Sequence, residues 1–311
     1  MSLFHSLGFA GASYVVLRLV LEQLAEIHRG HLKRIRRGKT GGSNRSRLGI
    51  PIVKPGTKIC VYGLSANPPT GVGGHCSIVR HLQSQFDEVW ILPVYRHVYS
   101  TKQNMESYEH RRKMCELAFT HHGEIGSPKK SPKQRKQNNV RVLDVEKKVV
   151  LQAQSNAINR DLPLDSVQIG SYDILCEVQS VNNDKTIKFA WCLGGDAYVD
   201  LRNGKWRNHE KFQRGCEQVV VPRNGGTEAL EEVGLNANTT LLEIEEVSES
   251  VSSTVVREML LERVQWQSVP GNETRQWDGR DYDPEVLTDS LDPVVLRYIE
   301  ENGLYGIGTG A

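Results

Sequence analysis

Residues 60–82, CVYGLSANPPTGVGGHCSIVRHL, decide the fold. Within them Gly63, Gly71, Gly73 and Gly74 and the consecutive prolines Pro68 and Pro69 separate an apolar run from an amphipathic one. A plain strand-to-helix connection needs only a few residues, one glycine and a cap, so this longer break is expected to be shaped around something. Reading the run up to Tyr62 as a first strand and the segment from His75 as a first helix puts the glycines at the carboxyl end of a strand and the start of a helix. There an α/β sheet holds its ligands, and a helix offers N–H groups and a positive dipole to an anion. Gly71, Gly73 and Gly74 are then expected to admit a phosphate where side chains would block it. The spacing is neither GxGxxG nor GxxxxGK[ST], which excludes the two commonest phosphate loops. A histidine at such a helix start is, taken alone, equally a cap or a core residue.

Outward from this stretch, short apolar runs alternate with helical patterns. Strands are expected at 58–63, 88–94, 140–145, 187–194, 217–223 and 240–247, most of them apolar on both faces, as a covered parallel sheet requires. Helices are expected at 77–86, 107–120, 173–181, 227–233, 253–264 and 293–302, the last closed by Gly303. This alternation predicts an α/β fold, a Rossmann-like doubly wound parallel sheet. The runs at 126–139, with five basic residues and no acid, and at 269–285 read as solvated connections rather than elements.

The 311 residues are 38% hydrophobic and 24% charged, enough for a sizeable core and against general disorder. The net charge of +2 hides an asymmetry: residues 1–50 carry nine Lys or Arg against Glu22 and Glu26, leaving about −5 for the rest. We therefore divide the chain into a basic N-terminal extension and linker, 1–50, and an α/β domain, 51–311. In the extension Arg18, Glu22, Glu26 and Arg29 recur at helical spacing and lay one polar stripe along an otherwise apolar helix, which is too interrupted for a spanning segment. Membrane contact is not expected, nor a nucleic-acid partner; a homo-oligomer is left open. Six cysteines without a CxxC spacing read as reduced core residues, which favours the cytoplasm, with an organelle address in residues 1–50 as the alternative.

Several segments, in order along the chain, resemble one family. YGLSANPPTGVGGH (62–75) is similar to the G-x-[ST]-[FD]-x-P-x-[HT]-x-G-H opening of the nucleotidylyltransferase superfamily. The narrower likeness is to the nicotinate/nicotinamide mononucleotide adenylyltransferases. EVWILPVYRHVYSTK (88–102) resembles their second strand and lysine-bearing loop, and SYEHRRKMCELAF (107–119) their H-R-x-x-M-x-x-L-A helix. CLGGDAYVDLRNGKW (192–206) resembles G-x-D-x-x-x-x-L-x-x-W, EQVVVPRNG (217–225) V-V-x-R-x-G, and VSSTVVREML (251–260) I-S-S-T-x-x-R. LDPVVLRYIEENGLY (291–305) resembles their C-terminal P-x-x-V-x-x-Y-I-x-x-x-x-L-Y. One departure stands out: the family places two residues between the first His or Thr and the final His, whereas four separate Thr70 from His75. Either Thr70 keeps its place on a longer loop or that place is vacant.

The resemblance implies transfer of the adenylyl group of ATP to the 5′-phosphate of nicotinate or nicotinamide mononucleotide, giving a dinucleotide and pyrophosphate. It implies His75, Arg257 and Lys102 as catalytic groups. It implies ATP contacts from Gly63, Ser65, Gly74, His75, Asp196, Ser252, Ser253, Thr254 and Arg257, and mononucleotide contacts from Asn67, Lys102 and Trp206, the last by stacking. Mg²⁺ would arrive with ATP, bound mostly through phosphate and water oxygens, so no dedicated protein metal site is expected. Two other readings stay open: a nucleotidylyltransferase for another phosphate-bearing substrate, and a catalytically silent nucleotide-binding relative.

Overall fold

In the computed structural model the described residues are 48–96, 105–120, 139–222, 227–245, 247, 251–267, 287 and 289–307. The expectations for residues 1–47, Lys102, the basic run 126–138 and the connection 269–285 lie outside them.

Among the described residues one parallel sheet is formed by β1 (Lys58–Leu64), β2 (Glu88–Pro93), β3 (Val140–Val142), β4 (Lys188–Gly194), β5 (Glu217–Val221) and β6 (Thr239–Leu241). Its order is β3-β2-β1-β4-β5-β6, with Val61 opposite Trp90 on one side and Trp191 on the other. The chain thus builds outward from β1 to β3 and returns to pair β4 with β1. That reversal opens a crevice at the carboxyl ends of β1 and β4, the position at which doubly wound sheets bind ligands.

Because successive side chains of a strand point to opposite faces, β1 feeds two cores. Cys60, Tyr62 and Leu64 meet α1 (His75–Gln85), α2 (Tyr108–Thr120), α8 (Ser253–Gln267) and α9 (Pro293–Glu301) on one face. Ile59 and Val61 lie on the other face with α3 (Val145–Ile158), α4 (Ser171–Val181), α5 (Gly195–Arg202), α6 (His209–Gly215) and α7 (Thr227–Val233). Both faces are buried, which is why the strands read as nearly continuous apolar runs.

Three helices go beyond the expected elements. The run at 140–145 was expected to be all strand, but β3 ends at Val142 and α3 begins at Val145, after Asp144 in the N-cap position. Only Val145, Val150 and Ala157 of α3 are buried, too sparse a stripe to announce itself. Helices α5 and α6, eight and seven residues long, are too short for a periodic signal. Among the described residues no helix is long and apolar enough to cross a membrane.

Candidate active site

Residues 65–74 leave the carboxyl end of β1 and lead into α1. Thr70 organises them. Its hydroxyl oxygen accepts the His75 N–H at 2.9 Å and its carbonyl accepts the Cys76 N–H at 3.1 Å. The Gly74 N–H donates to the Gly71 carbonyl at 3.2 Å and the Gly73 N–H to Ser77 Oγ at 3.1 Å. The loop therefore caps its own helix, satisfying donors that a helix start otherwise leaves unpaired. This corrects the expectation that those N–H groups stand open for a phosphate: the two extra residues between Thr70 and His75 give the loop the length to curl back.

The glycines also serve the chain itself. A methyl group on Gly74 would lie 2.0 Å from Thr70 Oγ1, so glycine there is what lets Thr70 reach the helix start. A methyl on Gly71 would lie 2.6 Å from the Asp289 carbonyl oxygen. The backbone of residues 289–291 crosses at that point, where Gly71 N–H donates to Ser290 O at 2.6 Å and Val72 N–H to Asp289 O at 3.0 Å. Room expected for a phosphate at Gly71 and Gly74 is thus taken by protein atoms.

His75 is buried, at 9% exposure. Its Nδ1 accepts the Thr70 backbone N–H at 3.0 Å and lies 2.7 Å from Thr70 Oγ1. A backbone N–H can only meet a lone pair, so Nδ1 is the acceptor nitrogen and the neutral ring carries its proton on Nε2. Thr70 therefore reaches His75 despite the lengthened spacing, and its N–H sets the tautomer that makes His75 Nε2 a donor.

The start of α8 closes on the same loop. Ser252 is its cap, with Oγ accepting the Val255 N–H at 3.2 Å. Ser253 Oγ donates to the Pro68 carbonyl at 2.7 Å. Arg257 donates through Nη1 to the Asn67 carbonyl at 2.6 Å and through Nη2 to Thr254 Oγ1 at 3.1 Å. A methyl on Gly74 would also come within 3.1 Å of Val251 Cγ1. His75 and Arg257 accordingly belong to one face of the sheet and to the two sides of one loop.

Three further residues complete this cluster. Arg111, 1% exposed, donates through Nη1 to the Ser65 carbonyl at 2.7 Å and through Nε to the Glu106 carbonyl at 2.9 Å. Burial holds its guanidinium below the ordinary value for arginine. Asn67 Oδ1 accepts the Glu106 N–H and the Tyr305 hydroxyl, each at 3.0 Å. A charged residue in step with Met114, Cys115 and Ala118 on the buried stripe of α2 was the sequence signal for Arg111; Tyr305 closes the C-terminal segment that resembles the family motif, and Glu106 carried no signal.

The remaining expected contacts are placed less closely together. Gly63 faces Trp191, whose Cζ2 would lie 3.4 Å from a methyl there. Asp196 is exposed in the first turn of α5, at the carboxyl end of β4. Trp206 packs on Phe212 at 5.6 Å between ring centroids, in the core layer on the other face from His75. Among the described residues no group of three His, Cys, Asp or Glu is placed to hold a metal ion.

Glu146, at the start of α3, sits beside this edge of the sheet and accepts the Tyr95 N–H at 2.8 Å. Burial pushes its carboxyl from about 4.5 up to about 7, against the opposing pull of the Tyr95 and Arg96 N–H groups and Arg111. An acid whose folded pKa is raised adds stability below its unfolded value and loses it as pH climbs through the folded one. Glu146→Gln, which does not titrate, should therefore gain melting temperature relative to the parent between pH 4.5 and 7 and hold that gain above. Thermal melts across this range test it; a difference that does not vary with pH would remove Glu146 as the cause.

The cytidylyltransferase-like family model matches residues 65–259, from the loop after β1 into α8. The fold is similar to the Plasmodium falciparum nicotinic acid mononucleotide adenylyltransferase complexed with APC, at TM-score 0.53 and 17% identity over 81% of this chain and 99% of that one. The same enzyme complexed with NaAD matches at TM-score 0.52 with the same identity and coverage. The search of curated proteins returned no match. With the loop, the crevice and the α8 clamp all inside the matched span, the chain belongs to the cytidylyltransferase-like family.

Proposed function

We propose that this protein joins ATP to nicotinate or nicotinamide mononucleotide, releasing pyrophosphate and forming the pyridine dinucleotide. The observation that carries the reading is the convergence of His75, Ser253 and Arg257 on the loop at 67–70 beside the sheet crevice. The likeness in fold to a nicotinic acid mononucleotide adenylyltransferase supports the choice of substrates.

In this reaction a phosphate oxygen of the mononucleotide attacks the α-phosphorus of ATP, and the bond from that phosphorus to the bridging oxygen of pyrophosphate breaks. The nucleophile is already anionic, so no general base is required, and catalysis reduces to aligning two repelling anions and stabilising the charge that develops. His75 Nε2–H supplies a donor whose orientation Thr70 fixes in advance. Arg257 supplies a cation held by its own bonds to the loop. Asp196 is assigned to the ribose hydroxyls, Trp206 to the pyridine ring and Lys102 to a phosphate, as the resemblance implies. The donors around the loop are hydroxyls and cations, suited to phosphate oxygens, so Mg²⁺ fits here as the ion carried by ATP and neutralises phosphate charge when bound.

The test is to incubate the purified protein with Mg·ATP and each mononucleotide and to measure pyrophosphate and dinucleotide. Dinucleotide formation establishes the reading, and the faster mononucleotide names the substrate. Pyrophosphate released only with CTP or with another phosphate acceptor would reassign it within the family. No turnover with any pair would make the chain a nucleotide-binding relative.

We propose further that catalysis resides in the segment after residue 47. Ile50 is fully buried and Leu48 packs against the same core, so the cut belongs before Leu48. Deleting residues 1–47 should leave kcat/KM within about twofold, since it removes no described core residue. A soluble but inactive truncation would make the extension part of the site. The cysteines described are free, five of the six buried, which supports a cytoplasmic setting. If full-length protein enters an organelle and the truncation does not, residues 1–47 are an address.

A further inference from the structure

The C-terminal turn Leu304–Gly306 returns to the two loops that frame the crevice, after β1 and after β2. Three bonds close a ring between them. Tyr305 donates its hydroxyl to Asn67 Oδ1 at 3.0 Å and its backbone N–H to Glu106 Oε1 at 2.9 Å, while Glu106 donates its own N–H to Asn67 Oδ1 at 3.0 Å. Two donors meeting at Oδ1 fix the Asn67 side chain. The backbone carbonyl oxygen of Asn67 is the atom that accepts from Arg257 Nη1. On the other flank Arg111 ties the Glu106 carbonyl to the Ser65 carbonyl.

The backbone on both sides of the ring is held away from its relaxed state. Tyr305 has φ 57° and Ala66, next to Asn67, has φ 52°, left-handed values that are strained for a residue bearing a side chain. Such conformations persist only where surrounding contacts over-determine them. Here those contacts come from a segment more than two hundred residues away from the loop it holds.

We infer that Tyr305 is a positioning residue for adenylyl transfer: its hydroxyl, through Asn67, holds the loop at 66–70 in the register at which Arg257 and the pair Thr70 and His75 address the same phosphates. This rests on the function proposed above. Burial and the neighbouring Glu106 raise the Tyr305 hydroxyl well above the ordinary tyrosine value, so it remains a donor throughout the neutral range.

The experiment is steady-state kinetics on the full chain. Tyr305→Phe keeps the ring and the N–H bond to Glu106 and removes only the hydroxyl. Its kcat should fall about tenfold, the loss from one misaligned positioning bond, with KM for ATP and for mononucleotide within about twofold. Val178→Ala, in the core of the opposite face, is the stability control: it should lower the melting temperature at least as much while leaving kcat unchanged. In an Asn67→Ala background Tyr305→Phe should have no further effect, because the acceptor is already gone. An unchanged kcat in Tyr305→Phe, or effects of the two substitutions that multiply, would overturn the inference. If Val178→Ala loses kcat in proportion to stability, Tyr305 acts through folding alone and the inference also falls. An inactive parent protein would instead overturn the proposed function, which keeps the two failures apart.

Discussion

Replacing His75 with alanine is expected to lower kcat by about 10²–10³, the range for losing one preorganised donor to developing charge. The KM for mononucleotide should move little, because the imidazole is assigned to the triphosphate. The substitution should also destabilise the protein. His75 is buried, and its removal strips Thr70 N–H of the lone pair it meets at 3.0 Å, a cost of about 1–3 kcal/mol for an unsatisfied buried donor. His75→Asn separates the two effects. An asparagine Oδ1 stands roughly where Nδ1 stands and accepts the Thr70 N–H, yet nothing replaces the donor at Nε2. Thermal melts should therefore rank parent, Asn and Ala in falling order, while kinetics should place Asn and Ala together far below the parent. Turnover near the parent level in either variant would displace the active site from this loop.

The sheet was legible in the sequence because each strand is buried on both faces. Ile59 and Val61 feed one core and Cys60 and Tyr62 the other, so the apolar run at 59–62 has no polar interruption. Helix α3 was not legible for the converse reason: residues 146–149 are half-buried, and three consecutive charged residues, Glu146, Lys147 and Lys148, separate Val145 from Val149 and Val150, which leaves no helical apolar stripe to read. At the site, His75, Ser253 and Arg257 were singled out by segments that resemble family motifs at two helix starts, and the structure gathers them around one loop. The purpose of the glycines was not, since what makes glycine necessary at Gly71 is a carbonyl of Asp289, and no local pattern announces a contact made across such a separation. For the same reason Asn67, expected to meet the mononucleotide, has its side-chain oxygen engaged by Tyr305 and Glu106. Thr70 lay between these cases. Counting residues to His75 left its place open, and only the turn through Gly71, Gly73 and Gly74 brings the hydroxyl back to the ring.

Arg257→Ala should cost about as much as His75→Ala, for two reasons that a second substitution can separate. The guanidinium spans the loop and its own helix, with Nη1 on the Asn67 carbonyl and Nη2 on Thr254 Oγ1, and it brings a positive charge to a site where two anions must meet. Lysine restores the charge but not the planar fork that reaches both acceptors. If charge alone mattered, Arg257→Lys would recover most of the activity. The geometry predicts instead that Arg257→Lys stays within about tenfold of Arg257→Ala, because a lysine that reaches for the phosphates releases Asn67. Combining His75→Ala with Arg257→Ala should lower kcat by less than the product of the single losses, since both groups act on the same phosphates through one loop. Losses that multiply fully would mean that the two residues serve separate steps, and the single loop from Asn67 to His75 would no longer be the unit that orders the reaction.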